Sequence, residues 1–212
     1  MASMKNVFVN THPLVQDSLT HLRNQETKLQ KFRHHSDKIC QLLFADAVSD
    51  LQLNDCQVQT PVAQAHCQKL ADEIIVVPVL RSGIAMLFGA MHLLPKSKIG
   101  FVGMERDEKT AVAHEYYWKL PPINKNSVVI VTDPMLATGG SIDHLLKKVA
   151  SKKPKEMRVV SVVSAPEGIK RLQTDFPGIK IFTAKIDQKL NEKKYIVPGL
   201  GDYGDRYFGT DV

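Results

Sequence analysis

Two loops of this sequence carry side chains that suit an anion. The first, DPMLATGGS (Asp133 to Ser141), follows the apolar run SVVIVT. Gly139 and Gly140 lack a Cβ, so a phosphate could approach the main-chain N–H groups at the start of the helix predicted next. The hydroxyls of Thr138 and Ser141 add donors, and Asp133 offers an acceptor to sugar hydroxyls. An ordinary strand–helix loop with Ser141 as N-cap is the alternative.

The second loop is Arg81-Ser82-Gly83, which follows the run IIVVPVL. The planar guanidinium of Arg81 could hold a diphosphate, with N–H donors from the next two residues. Arg106 follows a third apolar run at the same predicted edge. A surface arginine paired with a carboxylate is the alternative for Arg81. The first loop lacks the Gly-Lys-Ser/Thr of a nucleoside-triphosphate loop, which favours a phosphate attached to a sugar.

Strands must bring these loops together, and the sequence predicts a parallel sheet. Short apolar runs without alternation are typical of strands covered on both faces. Strand–helix–strand order predicts right-handed crossovers, and ligands then bind at the carboxyl ends of the strands. The predicted strands are Ile74–Leu80, Lys98–Met104, Ser127–Asp133 and Met157–Ala165, and the predicted helices are Gly83–Leu94, Ile142–Ala150 and Gly168–Thr174.

The remaining segments flank this predicted core. Pro13 to about Asp50 has apolar residues at helical spacing, and Gln57–Val62 predicts an edge strand or arm. The charged and aromatic stretch Glu105–Asn126 predicts a lid or binding loop, although a packed subunit contact fits its aromatic residues equally well. The tail from Tyr195 to Val212 predicts an irregular loop. Its G-x-G-x-x-G pattern is not a dinucleotide fingerprint, because too few residues follow Gly204 to complete the required unit.

Composition predicts one domain with one core: the chain has 212 residues, of which 43% are hydrophobic. No apolar run approaches the roughly 20 residues of a membrane helix, so we expect a cytoplasmic protein without membrane contact. Cys40, Cys56 and Cys67 show no metal-binding spacing and indicate incidental thiols. Five histidines are expected at helix surfaces: His34, His35, His66, His92 and His144.

The net charge of +6 suits anionic ligands. Lysines cluster only in KKVASKKPK (Lys147–Lys155), which is more typical of a basic helix end than of a nucleic-acid site. We therefore expect no nucleic-acid partner. An RNA-binding regulator that keeps a similar fold remains an alternative, and it would need a continuous basic face.

With these motifs identified, the sequence resembles the type I phosphoribosyltransferases, and DPMLATGGS is similar to the variant of the uracil phosphoribosyltransferase family. Pro134 stands where most relatives keep a second acid. VPVLRSG, VGMERDE, SAPEGI and YIVPGLGDYGDRYFGT follow in the family's order. The resemblance implies a mainly parallel twisted sheet with flanking helices and a small hood or arm. It also implies a helical and arm region at about 1–70, a core at about 71–185 and a base-binding hood at about 186–212.

The resemblance further implies that uracil and phosphoribosyl diphosphate (PRPP) give UMP and diphosphate in pyrimidine salvage. Mg²⁺ would be bound with PRPP rather than held by the protein, and the chain would form a homodimer or homotetramer with GTP as effector. The PRPP-binding residues would be Arg81, Arg106, Asp133, Pro134, Met135, Leu136, Ala137, Thr138, Gly139, Gly140, Ser141 and Asp202. The uracil-binding residues would be Ile196, Gly201, Asp202 and Tyr203.

Two features depart from the family pattern. Bacterial relatives often have Ala where Tyr203 stands, which predicts a different wall for the base pocket. The stretch KTAVAHEYY (Lys109–Tyr117) replaces an acidic, proline-containing loop, which puts lid behaviour and the effector response in doubt. A transferase acting on another base is therefore a further alternative.

Overall fold

The computed structural model describes residues 5–106 and 113–210, and a nine-stranded sheet forms its centre. The strands are β1 (Val7–Val9), β2 (Leu53–Gln59), β3 (Gln64–Leu70), β4 (Glu73–Leu80), β5 (Lys98–Ile99), β6 (Phe101–Arg106), β7 (Ala113–Lys119), β8 (Ser127–Thr132), β9 (Met135–Leu136), β10 (Glu156–Ser164), β11 (Lys180–Ile186), β12 (Lys189–Leu190) and β13 (Ile196–Val197). The helices are α1 (Pro13–Arg23), α2 (Leu29–Val48), α3 (Ile84–Leu93), α4 (Gly140–Ala150), α5 (Pro166–Asp175) and α6 (Tyr203–Phe208).

The main strands run in the order β1-β11-β10-β8-β4-β6-β7, with short β5 beside β4 and β9 beside β10. All of these pairings are parallel except that of β6 with β7. The β-branched runs predicted as strands occupy the centre, where all six residues of β8 are buried. The predicted fold class, a mainly parallel sheet flanked by helices, is confirmed.

Alternate residues of the central strands face two separate cores, because successive side chains of a strand point to opposite faces. Ile74 and Val76 of β4 pack on the face covered by α1, α2 and α3. Ile75 and Val77 pack on the opposite face, which α4 and α5 cover. Burial on both faces explains why the sequence of β4 shows no alternation of apolar and polar residues.

Several segments differ from their predictions. The predicted arm at 57–62 is part of a longer hairpin, β2 with β3, which places His66 on a strand rather than a helix. The insertion at 105–126 contains β7, which pairs with β6; residues 107–112 of the predicted lid lie outside the described residues. The tail is not wholly irregular, because α6 begins at Tyr203. His35 is 9% exposed in the α1–α2 contact, so the surface prediction for it is wrong.

Among the residues described, the helices are too short or too polar to cross a lipid bilayer. The longest, α2, has 20 residues and includes several charged side chains.

Candidate active site

Three neighbouring parallel strands end at the same edge of the sheet, and each has a predicted phosphate-binding residue at its end or directly after it. β4 pairs with β8 on one side and with β6 on the other. Their carboxyl ends therefore bring together the loop after Leu80, the loop after Thr132 and the end of β6 at Arg106. Only the main-chain position of Arg106 is described. This adjacency is the geometric basis of the site.

Asp133 lies where the two loops meet. Its Oδ1 accepts hydrogen bonds from Ser82 Oγ, at 3.3 Å, and from Met135 N, at 3.2 Å. Burial raises the pKa of Asp133 to about 6, an effect that the two hydrogen bonds oppose and the negative charge of Asp202 reinforces. A carboxylate held in a partly dry site is a strong acceptor for sugar hydroxyls when it is ionised.

The segment after Asp133 is fastened to β10. Pro134 O accepts hydrogen bonds from Val162 N and Val163 N, both at 3.0 Å, and Leu136 O accepts one from Ala165 N at 2.8 Å. Pro134 and the side chain of Leu136 are buried. These two residues fix the path of the loop, so a ligand could meet only the main chain of Leu136 there.

The following residues form the start of α4. Helix α4 begins at Gly140, two residues before the predicted start, and its N-cap is Gly139 rather than Ser141. Gly139 adopts φ +75°, a conformation that favours glycine. Thr138, Gly140 and Ser141 are half-buried around this helix N-terminus, and the N-terminus of a helix attracts anions.

Arg81 remains largely exposed beside this helix N-terminus. Its guanidinium Nη2 lies 3.7 Å from Asp205 Oδ1, and 71% of its side chain is accessible. The peptide bond between Leu80 and Arg81 is cis. An exposed ion pair contributes little to stability, so an anionic ligand could recruit Arg81 at small cost.

A cavity of about 300 Å³ connects the first loops with the tail of the chain. It contains eight of the predicted site residues. They are Arg81, Asp133, Met135, Ala137, Ile196, Gly201, Asp202 and Tyr203. The residues Pro134, Leu136, Thr138, Gly139, Gly140 and Ser141 are not part of its lining, and they lie along the adjoining loop and helix end.

Comparisons with known proteins agree with this arrangement. The family model described as uracil phosphoribosyltransferase matches residues 9–210. A uracil phosphoribosyltransferase from Malacoplasma penetrans is 43% identical over 203 residues, covering 96% of this chain and 98% of that protein. Another from Campylobacter concisus is 42% identical over 207 residues, covering 98% of this chain and 100% of that protein. The chain belongs to the uracil phosphoribosyltransferase family.

Solved structures show the same fold. The AQ2163 protein from Aquifex aeolicus is 36% identical and superposes with a TM-score of 0.92, covering 97% of this chain and 99% of that one. A hypoxanthine-guanine phosphoribosyltransferase from Bacillus anthracis gives a TM-score of 0.52 at 12% identity, over 81% of this chain and 90% of that one. The second likeness concerns the fold alone, and it confirms the expected type I phosphoribosyltransferase architecture.

In this uracil phosphoribosyltransferase family member, two arginines that the sequence analysis did not single out fix the tail. Arg23 of α1 donates to Asp187 Oδ1 at 2.6 Å and to Gly199 O at 3.2 Å, while Gly199 N donates to Asp187 Oδ2 at 2.9 Å. Arg206 donates to Leu200 O at 2.6 Å and to main-chain oxygens at the end of α1. No short motif marks these contacts, because their partners are up to 184 residues apart.

The sequence predicted that Tyr203 gives the base pocket a different wall, but the side chain of Tyr203 points elsewhere. It is 1% exposed, and its ring meets Phe32 edge-on with centroids 5.2 Å apart. The phenol therefore lies in the core, and Tyr203 can border the cavity only through its main chain. Four cavity residues were absent from the predicted PRPP- and uracil-binding residues: Ser82, Lys194, Tyr195 and Gly204. Tyr195 immediately precedes Ile196, so its position in the tail motif was the signal available for it.

Proposed function

We propose that this protein transfers the phosphoribosyl group of PRPP to N1 of uracil, giving UMP and diphosphate in pyrimidine salvage. The observation that carries the proposal is the cavity that joins the ends of β4 and β8 to the tail around Ile196 and Asp202. One end offers groups for a sugar phosphate and a diphosphate, and the other offers main-chain groups for a flat base. Family membership supports the same assignment.

The reaction breaks the bond between the anomeric carbon and the diphosphate oxygen, forms one from that carbon to N1 of uracil, and releases the proton that N1 carried. Positive charge develops on the ribose ring and negative charge on the leaving group. Arg81 can stabilise the leaving charge, and Arg106 is proposed for the same role. The loop from Asp133 to Ser141 would hold the ribose 5-phosphate and the ring hydroxyls in line with uracil.

We propose that Mg²⁺ enters as part of the PRPP substrate. The fit is chemical: Asp133 and Asp202 both border the cavity, and Mg²⁺ prefers oxygen ligands such as carboxylates. The ion, when bound, neutralises negative charge on the diphosphate. Asp133 and Asp202 would orient the substrate from the protein side. Removing Mg²⁺ with a chelator should abolish turnover, and full activity in its absence would contradict this assignment.

Selection of the base is proposed to depend on main-chain atoms between Ile196 and Tyr203. Uracil has a donor at N3, whereas cytosine has an acceptor at N3 and an amine at position 4. Fixed C=O and N–H groups that suit uracil would leave cytosine with unpaired groups, at roughly 1–3 kcal/mol for each. The arginines that pin Gly199 and Leu200 support this view, since they immobilise the main chain there.

A base panel tests the proposed function. The protein is mixed with PRPP, Mg²⁺ and, in separate reactions, uracil, cytosine, hypoxanthine or orotate, and diphosphate release is measured. We expect release with uracil alone. Release with another base would favour the related-transferase alternative, and no release with any base would favour the RNA-binding regulator.

The surface charge does not favour that regulator. Three of the five lysines in Lys147–Lys155 are paired with acids: Lys147 with Asp143 and Asp175, Lys148 with Glu115, and Lys155 with Asp72. A continuous basic face is therefore interrupted at this cluster.

We also propose a homodimer or homotetramer. Leu53, Val62 and Leu70 of the β2–β3 hairpin expose 51%, 93% and 47% of their surface, which suits a contact between copies. Light scattering of the purified chain tests this assembly.

GTP as effector follows from the family resemblance, and adding GTP to the uracil assay tests it. Cytoplasmic location is proposed because Cys40, Cys56 and Cys67 are free thiols.

A further inference from the structure

Two histidines and a carboxylate meet on the face of α1 that packs against α2, away from the PRPP cavity. Asp17 and His21 are four residues apart and lie on one face of α1, one turn apart. His35 comes from α2, and its ring stacks on that of His21 with centroids 4.0 Å apart. One ligand atom from each of the three residues lies within 4.8 Å of the others.

The environment of His35 fits a metal ligand. Its Nδ1 lies 3.2 Å from Ser18 Oγ, in a buried contact. A histidine that donates its Nδ1 proton to such a partner keeps the Nε2 lone pair available, and the hydrogen bond fixes the orientation of the ring. With Nδ1 as the donor, this contact would hold the His35 ring while Nε2 binds an ion.

The other two ligands are able to adjust. Tetrahedral coordination with bonds of 2.0–2.1 Å separates ligand atoms by roughly 3.3 Å, and the three ligand atoms here lie within 4.8 Å of one another. Asp17 is exposed and His21 is half-buried, so both side chains have room to rotate, and His21 would turn out of its stack on His35 so that both rings face one ion. The third ligand, His35, need not move.

We propose that Asp17, His21 and His35 bind a transition-metal dication of the Zn²⁺ class and clamp α1 to α2. Two imidazoles and one carboxylate are a typical set for Zn²⁺, with a water molecule as fourth ligand. Mg²⁺ prefers an all-oxygen octahedral shell, so the ion that accompanies PRPP is a poor competitor here.

The position of this site gives the ion a structural role beside the base pocket. Helix α1 continues to Arg23, which holds Asp187 and Gly199. On α2 the residue after His35 is Ser36, which contacts the hydroxyl of Tyr203 at the start of α6. An ion between the two helices therefore braces both supports of the tail, and no step of the transfer passes through it.

Cobalt titration of the untagged, chelator-treated full chain tests the proposal, because Co²⁺ reports tetrahedral coordination by visible d–d absorption. We expect one Co²⁺ per chain, displaced by Zn²⁺, and a rise in the midpoint of thermal unfolding when Zn²⁺ is added. His21→Ala and Asp17→Asn should each weaken binding at least tenfold and remove the thermal shift. His92→Ala removes an exposed histidine of α3 and should change neither result.

Circular dichroism with EDTA present checks that the variants fold. If His21→Ala does not fold, the test depends on Asp17→Asn, which is expected to fold because Asp17 is exposed. The proposal is overturned if the wild-type chain binds Co²⁺ no more tightly than a folded Asp17 or His21 variant. Equal loss of binding in His92→Ala would also overturn it, since the ion would then lie elsewhere.

Discussion

The hydroxyl of Tyr203 lies 2.5 Å from Ser36 Oγ, inside the contact between α6 and α2. Ser36 is fully buried, and the Tyr203 ring also stacks near Tyr207 with centroids 6.4 Å apart. Burial is the main cause that raises the pKa of Tyr203 well above its ordinary value. The phenol is thus a neutral anchor that ties the C-terminal tail to the N-terminal helices.

Tyr203→Phe should lower stability and leave base selection unchanged. Without the hydroxyl, Ser36 keeps a buried polar group without its partner, which costs about 1–3 kcal/mol of the free energy of unfolding. Urea denaturation measures this loss, and competition between uracil and cytosine measures selectivity. The double variant Tyr203→Phe/Ser36→Ala removes both partners and should recover part of the lost stability. If Tyr203→Phe used cytosine more readily than the wild type does, the hydroxyl of Tyr203 would have to contribute to base selection.

Asp133→Asn should stabilise the unliganded protein at neutral pH. The pKa of Asp133 is raised to about 6, so the folded protein binds its proton more tightly than the unfolded chain does. Stability from this group is complete below pH 4 and is lost as the pH rises through about 6. Each pKa unit corresponds to about 1.4 kcal/mol, so the penalty above pH 6 is up to about 3 kcal/mol.

Unfolding free energies of Asp133→Asn and of the wild type, measured at pH 4 and pH 7.5, test this linkage. We expect the variant to gain about 1–3 kcal/mol at pH 7.5 and much less at pH 4. Its turnover should fall, because the carboxylate acceptor for ribose hydroxyls is gone. The exposed Asp55→Asn is the matched control and should show no such dependence. A gain that is equal at both pH values would disprove the raised pKa.

The sequence was sufficient for the parts of the fold that repeat one local pattern. β4, β8 and β10 are mainly apolar and show no alternation because both of their faces are covered, and the turn after β8 carries Gly139 at a positive φ. β7 and β11 were missed, since β7 mixes charge with aromatic residues and β11 has the short pattern KIFTAKI. β7 lies at an edge of the sheet, so its pairing depends on β6, whereas β11 lies between β1 and β10 and its apolar run is interrupted by Thr183 and Lys185.

The candidate site likewise has parts that could be predicted from the sequence and parts that could not. The sequence could predict Asp133, Arg81 and Gly139, because they belong to short motifs whose residue types indicate their chemistry. The direction of the Tyr203 ring depends on a cleft between α2 and α6, and the roles of Arg23 and Arg206 depend on carbonyl groups remote in sequence. Such contacts are products of tertiary packing, and one sequence without its fold contains no local sign of them.

Gly83→Ala should strongly destabilise the sheet edge that carries the site. A Cβ at Gly83 would lie 2.5 Å from Val79 O and 2.6 Å from Thr132 O, so β4 and β8 would have to separate at their carboxyl ends. We expect a loss of about 3 kcal/mol or more, at the upper end of overpacking costs. Gly178→Ala is the control, because nothing lies within 4 Å of its added Cβ. Chemical denaturation measures the free energy of unfolding of both variants. Equal stability of Gly83→Ala and Gly178→Ala would contradict the crowding at Gly83.

Asp202→Asn should separate the charge of Asp202 from its structural role. Asp202 Oδ1 accepts a hydrogen bond from Asp205 N at 3.0 Å, which caps α6, and asparagine caps a helix as well as aspartate does. The variant should therefore fold normally while losing the negative charge that borders the cavity. We expect kcat for UMP formation to fall roughly 100-fold, with a much smaller change in the Kd of PRPP measured by calorimetry.

Asp202→Ala completes this experiment because it removes the cap together with the charge. It should lose a further 1 kcal/mol or so of stability, while its turnover stays close to that of Asp202→Asn. If the two variants lost turnover and PRPP affinity in equal proportion, Asp202 would act in ground-state binding of PRPP. A preserved kcat in Asp202→Asn, with a loss only in Asp202→Ala, would instead assign the residue to capping alone, since the charge would then be dispensable for transfer.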